Sequence, residues 1–284
     1  MPVTVNTICV IGAGTMGSGI AQVAAQNGLN TLLFDINTDV LEKAKTAIQK
    51  NLQYLVDKQK ITATDKENIY SRIRFVNNTN DCLADVVIEA IVEKVAAKVA
   101  IFNQLAVINN SKVIFATNTS SLSVSDIQAK VIHPERVVGM HFFNPAPIMK
   151  LVEVVQGNQT ADDAAQTIYD LCKQMNKVPV LCKDAPGFIV NRVARHYYLE
   201  AMKLVETGVA SLENVDEIME ATGFKMGPFK LMDLIGMDVN LAVSQSIYEA
   251  FDKTERFAPS PFQIDKVAKG ELGKKTGKGF YPYL

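Results

Sequence analysis

A short apolar stretch, Ile8 to Ile11, runs directly into Gly12-Ala13-Gly14-Thr15-Met16-Gly17, and this junction constrains the fold more than any other feature. The apolar run reads as a buried strand, and the small-residue stretch Ile20 to Ala25 reads as a helix. A second apolar run, Thr31 to Phe34, ends in Asp35. The GxGxxG spacing alone is a weak signal. Strand, glycine turn, helix, strand and terminal acid within about 30 residues are a strong one, because each part has a physical job. Gly12 permits the tight turn, Gly14 lets a pyrophosphate approach the backbone, and Gly17 lets helix and strand pack closely. The helix start at Thr15 and Met16 offers N–H groups and partial positive charge to phosphates. Asp35 suits two ribose hydroxyls and would repel a 2′-phosphate, so the segment predicts NAD in preference to NADP. The alternative, a glycine-rich turn of some other α/β protein, does not account for this order of elements.

With 284 residues, of which 48% are hydrophobic and 21% charged, there is material for two domains and a sizeable core. A net charge of −1 argues against a nucleic-acid partner, which needs a basic face. Cys9, Cys82, Cys172 and Cys182 form no CxxC pair and read as free thiols of a reducing compartment, with Cys9 and Cys182 buried in strand-like runs. The N-terminus enters the first strand within a few residues, without a basic or apolar leader. No apolar run approaches the ~18 residues of a membrane span. These features predict a cytoplasmic protein with no membrane partner.

Over the first 180 residues short apolar runs alternate with amphipathic stretches. Strands are expected at 7–11, 31–34, 73–76, 86–90, 113–117, 137–142, 151–155 and 178–182, and helices at 15–27, 38–58, 94–108 and 162–175. Such alternation predicts an α/β, doubly wound, mostly parallel sheet. Two helical pieces within 38–72 suggest a projecting helical hairpin. After Asp184-Ala185-Pro186-Gly187 the apolar residues recur at helical spacing, with Pro186 placed for a helix start. The expected division is a Rossmann-like domain over 1–184 and an all-α domain over 185–284. The second is rich in apolar residues, including Met202, Leu204, Val205, Met219, Leu231, Met232, Leu234, Ile235, Met237 and Leu241. That is more than a small helical domain readily buries alone, which predicts a homodimer through this part.

The chain has three histidines. His133 precedes a proline in a turn-like segment and reads as structural or exposed. His196, beside Tyr197 and Tyr198, reads as core or interface. His141 stands at the end of the apolar run Val137 to Met140, in MHFFNPAP, where open α/β sheets bind ligands. The residues alone leave it open between a catalytic base and a satisfied strand-end histidine. Glu153 lies among Leu151, Val152, Val154 and Val155. It either faces water from an edge strand or pairs with a cation, and His141 across one turn is the evident partner. Asn118-Thr119-Ser120-Ser121 follows another strand; Ser121 or Ser123 can cap a helix over 124–128, or the turn can bond a substrate oxygen. Asn191 is read as lying one turn into the helix beginning near Pro186, where an exposed amide can reach a domain cleft. Lys50, Lys58, Lys60 and Lys66 form either a solvated face or a phosphate contact. No clustered His/Cys set signals a metal.

GAGTMGSGIA, EAIVE with Glu89 and Glu93, NTSSLS, HFFNP, KLVEVV, DAPGFIVNR and GKKTGKGFY, in this order, resemble the L-3-hydroxyacyl-CoA dehydrogenase family over essentially the whole chain. Shorter members of the 3-hydroxybutyryl-CoA dehydrogenase type match best in length. The resemblance implies a Rossmann-like N-terminal domain, a helical C-terminal domain that dimerises and binds substrate, and hydride transfer between NAD and an acyl-CoA substrate such as 3-hydroxybutyryl-CoA or acetoacetyl-CoA. Motif by motif, it implies His141 and Glu153 as catalytic pair, and Ser120 and Asn191 as substrate-binding residues. It places NAD contacts on Asp35, Glu93, Lys98, Ser120 and Lys275, with Asn118 and the glycine turn beside them. It implies contact of the 50–66 lysines with coenzyme A, without singling out any. Two other readings are a β-hydroxyacid dehydrogenase acting on free acids through a lysine, and a crystallin-like NAD-binding structural protein.

Overall fold

The computed structural model describes residues 5–283. Their contacts divide the chain into two compact units, 1–185 and 186–284. In the first unit the apolar runs become β1 (Thr7–Ile11), β2 (Asn30–Phe34), β3 (Ile73–Val76), β4 (Val86–Glu89), β5 (Ile114–Thr117), β6 (Val137–Phe142), β7 (Leu151–Gln156) and β8 (Val178–Lys183). They form one sheet in the order β3-β2-β1-β4-β5-β6-β7-β8. Pairs from β3 to β6 are parallel, β6 and β7 are antiparallel, and β7 and β8 are again parallel. The first six strands follow the doubly wound order, whose direction of progress reverses between β1 and β4. Residues of β4, β5 and β6 are buried throughout, as expected of near-continuous apolar strands covered on both faces.

The crossovers are α1 (Thr15–Gln26), α2 (Thr38–Asp57), α3 (Ala63–Ser71), α4 (Val95–Ile108), α5 (Val124–Gln128) and α6 (Asp162–Gln174). Gly17 is dictated by packing, since a Cβ there would lie 1.7 Å from the Gly12 carbonyl oxygen. Gly12 itself has φ +96°, which L-residues rarely adopt. The α2–α3 hairpin does not simply project. Leu41, Ile48 and Leu52 of α2 and Ile69 of α3 are buried in the same core as Ile20 and Leu33. An apolar stripe of that length must be covered, and α1 covers it. Ser123 caps α5, accepting from the Asp126 N–H, which settles the choice left between Ser121 and Ser123. Cys182 is half-buried rather than buried, because β8 is the sheet edge. All four cysteines are free.

The second unit contains α7 (Val190–Glu206), α8 (Leu212–Ala221), α9 (Pro228–Ile235), α10 (Met237–Ala250) and α11 (Pro261–Ala268). Helix α7 starts at Val190, later than Pro186 suggests. Gly187 and Phe188 have φ of +73° and +47°, so this stretch turns left-handed and cannot belong to the helix. Asn191 therefore sits in the first turn of α7. Met202, Met232 and Met237 are fully buried in the unit's own core with Tyr198 and Phe229, so they are not available to a partner. Leu234 and Ile235 do remain exposed. His196 is exposed as well, against Phe257 at 5.1 Å between ring centroids, so the core reading fails for it. No helix among the described residues is long and apolar enough to cross a membrane.

Candidate active site

Register decides the first pair. In the antiparallel β6–β7 ladder His141 lies directly opposite Glu153. Directly opposed side chains on one face of a sheet meet, and His141 Nδ1 is 2.7 Å from Glu153 Oε2. Both residues are buried, at 5% and 1% exposure. A carboxylate in so apolar a strand requires a partner, and the imidazole is that partner. The Phe143 ring lies 4.5 Å from the imidazole. Asn118 ties the neighbouring strand end to this pair: its Oδ1 accepts the Phe142 N–H at 2.9 Å.

Beyond β5, β4 ends in Glu89, which is fully buried and in register with Thr117 of β5. Its carboxylate accepts from the Thr117 hydroxyl at 2.7 Å and the Ile91 N–H at 2.7 Å. Lys98, 1% exposed on the first turns of α4, bridges both Glu89 oxygens at 2.7 and 2.9 Å. The same ammonium reaches Glu93 Oε2 at 3.1 Å. Three carboxylate oxygens fill the three donors of an ammonium, so Lys98 is committed within the protein. Glu93 Oε1 gathers the Asn118–Ser121 turn: the Thr119 hydroxyl, the Ser120 N–H at 3.1 Å, and the Ser121 N–H and hydroxyl at 3.3 and 3.1 Å. Burial pushes the Glu89 carboxyl up, and Lys98 and the other donors only partly offset this. Burial also pushes Glu93 up, but Lys98, Thr119 and the Ser120 amide outweigh it and hold that carboxyl below its usual range.

The glycine turn opens beside these strand ends. Gly14 is the N-cap of α1, and no side chain caps the helix. A Cβ on Gly14 would meet no protein atom within 4 Å and its φ is ordinary, so neither packing nor backbone strain calls for glycine there. Thr15 is exposed and Met16 half-buried beside it. Asp35 Oδ2 accepts the Ala13 N–H and Oδ1 the Asn37 N–H, both at 2.9 Å, which clips the turn to the end of β2. Each oxygen keeps a lone pair for a further donor.

A cavity of about 960 Å³ continues from Gly14 and Thr15 between α1, α2 and the loop Asn144–Ile148. Of the four lysines considered in 50–66, only Lys60 lines it; Lys43, which the sequence did not single out, lines it too. Lys66 is turned to Gln53 and Lys58 lies over the Tyr54 ring. Lys275 belongs to the second unit, where it pairs with Asp238 at 2.5 Å. The first unit thus brings together His141, Glu153, Asn118, Ser120, Glu93 and Lys98 at adjoining strand ends.

Residues 7–185 match the 3-hydroxyacyl-CoA dehydrogenase NAD-binding domain, and residues 187–283 match the C-terminal domain of the same enzymes. The chain belongs to the 3-hydroxyacyl-CoA dehydrogenase family. As a member it is an NAD-dependent oxidoreductase. It is 46% identical over 285 residues to 3-hydroxyadipyl-CoA dehydrogenase of Escherichia coli K12, covering 100% of this chain and 60% of that one. The chain thus spans about three fifths of that relative's length. It is 40% identical over 294 residues to mouse mitochondrial hydroxyacyl-coenzyme A dehydrogenase, covering 99% and 92% of the two chains. The solved (S)-3-hydroxybutyryl-CoA dehydrogenase of Ralstonia eutropha superposes with a TM-score of 0.94 at 39% identity, covering 99% of this chain and 100% of that one.

The dehydrogenase holds one buried group that sequence reasoning passed over as a site residue. Glu89 closes an apolar strand, Val86-Val87-Ile88-Glu89, just as Glu153 interrupts one. A carboxylate in such a run was the available signal, and the same cost of burial applies to both.

Proposed function

We propose that this dehydrogenase interconverts a short L-3-hydroxyacyl-CoA and its 3-ketoacyl-CoA, with 3-hydroxybutyryl-CoA and acetoacetyl-CoA as the pair. The end-to-end match to an enzyme of that name supports the short acyl chain. The observation that carries the chemistry is the buried His141–Glu153 pair, at 2.7 Å. When Nδ1–H is donated to Glu153, Nε2 holds the lone pair and can take the proton of the C3 hydroxyl. Glu153 orients the ring and stabilises the imidazolium that results; in reduction the imidazolium returns the proton. NAD, when bound, supplies the acceptor for the hydride that leaves C3. The glycine turn with Gly12, Gly14 and Gly17 would receive its pyrophosphate and Asp35 its ribose. Ser120 and Asn191 would hold substrate oxygens, and Lys43 and Lys60 would meet coenzyme A phosphates along the cavity. The two deeply buried lysines, Lys98 and Lys177, are committed to carboxylates and to backbone carbonyls, which speaks against lysine acid–base chemistry on a free acid.

The exposed Val193, Val209, Phe224 and Leu234 of the second unit support a homodimer, and the four free thiols suit a cytoplasmic setting. A steady-state assay with acetoacetyl-CoA and NADH tests the reading. Turnover is expected. Inactivity on acetoacetyl-CoA, with turnover of a free 3-hydroxy acid and NAD, overturns it.

A further inference from the structure

We infer that Glu89 is a positioning residue for the dehydrogenase reaction: acting through Lys98 and Glu93, its buried carboxylate fixes the turn that presents Ser120. The inference rests on the substrate role proposed for Ser120, and its starting point is an excess of charge. One buried lysine needs one carboxylate for neutrality, yet Lys98 is held by two. Glu93 is exposed and Glu89 is fully buried, and a buried carboxylate is costly to keep and does not by itself favour the fold. Its effect is geometric. Glu89 is gripped from three sides, by the Ile91 N–H, the Thr117 hydroxyl and Lys98, so it is a rigid point at the end of β4. It holds two of the three ammonium donors, which leaves one, aimed at Glu93 Oε2 at 3.1 Å. Glu93 Oε1 is thereby left whole for the Asn118–Ser121 turn, where four donors converge on it, the Ser120 N–H among them.

Without the Glu89 charge, Glu93 becomes the one anion held by Lys98. The ammonium then shifts to chelate both Glu93 oxygens and draws Oε1 away from the turn. Ser120 loses its backbone anchor while the sheet, the glycine turn and Asp35 stay as they are. The consequence is a split between functions. Turnover of the acyl substrate suffers more than dinucleotide binding, which keeps the glycine turn and Asp35.

The test is Glu89→Gln, which keeps the shape and removes the charge, measured with NADH and acetoacetyl-CoA beside the wild type. The expected result is a kcat/KM for acetoacetyl-CoA about tenfold lower, well inside what a 1 Å misplacement can cause. NADH affinity by fluorescence titration should fall by less than kcat/KM does, since the glycine turn and Asp35 are untouched. In a cycle with Ser120→Ala the double variant should be no slower than Ser120→Ala alone. Additive losses, an unchanged Glu89→Gln rate, or parallel loss of NADH binding and turnover would each overturn the inference. Should Glu89→Gln fail to fold, Thr117→Val removes one bond from the same carboxylate. It must lower kcat/KM by more than it lowers NADH affinity, and an unchanged rate overturns the inference. A wild type inactive on acetoacetyl-CoA defeats the functional reading instead, and is told apart by that control.

Discussion

Two neighbouring strand ends solve the same problem with different partners. At the β6–β7 end, buried Glu153 meets an imidazole; at the β4–β5 end, buried Glu89 meets an ammonium. Both answer the cost of placing a carboxylate in an apolar strand. The partner decides what the pair can do. An imidazole can both give and take a proton, which is the chemistry proposed for the first pair. An ammonium with all three donors occupied is held in place, so the second can only hold other groups still. One device therefore serves chemistry in one strand pair and rigidity in the next.

The comparison is broken most directly at His141. His141→Gln should lower kcat by roughly 10²–10⁴, the usual contribution of general acid–base catalysis. NADH binding should barely change. A variant retaining a substantial share of wild-type kcat would remove the proton-transfer role. The matching lesion on the other side is Lys98→Met. It leaves the buried Glu89 carboxylate without a cation, and should cost about 3–5 kcal/mol of stability by chemical denaturation. A variant as stable as the wild type would show that the second cluster is not held by charge.

Glu153→Gln sharpens the contrast at intermediate size. Its amide can donate to Nδ1 and favour the wrong tautomer, so kcat should fall by about 10²-fold with little effect on NADH binding. Equal loss of NADH affinity would point to structural damage instead. The smallest effect concerns pH. Burial raises Glu89 above its ordinary 4.5, so its ionised form weighs against the folded state. That burden is absent below pH 4.5 and grows as pH rises through the raised value. Glu89→Gln, neutral throughout, should be at least as stable as the wild type near pH 7, with the difference vanishing on acidification. Melting temperatures across pH 4–8 check the sign; a variant less stable at pH 7 would make Glu89 a stabilising ion-pair partner.

Much of the first unit is legible in the sequence because local signals agree there. Each of the eight apolar runs becomes a strand near its expected limits, since short apolar stretches between turn residues and amphipathic helices have one way to be buried. The glycine spacing is legible for the same reason: Gly12 and Gly17 are required by backbone angle and contact that any chain passing this way must meet. The second unit was less legible. Its apolar residues give a helical period but not the side they face, so buried Met202, Met232 and Met237 could not be told from exposed Leu234. The start of α7 was misplaced because the left-handed Gly187-Phe188 turn leaves no mark on hydrophobic spacing.

What the sequence determined by itself is the order of elements, the dinucleotide-type turn and the residue types at the strand ends, because these follow from local spacing and from the cost of burying polar groups. Tertiary structure alone decided who meets whom. Register set His141 against Glu153, and the approach of α4 brought Lys98 onto Glu89 and Glu93. Partner choice depends on distances between segments far apart in the chain, and those distances exist only once the sheet has closed around its core.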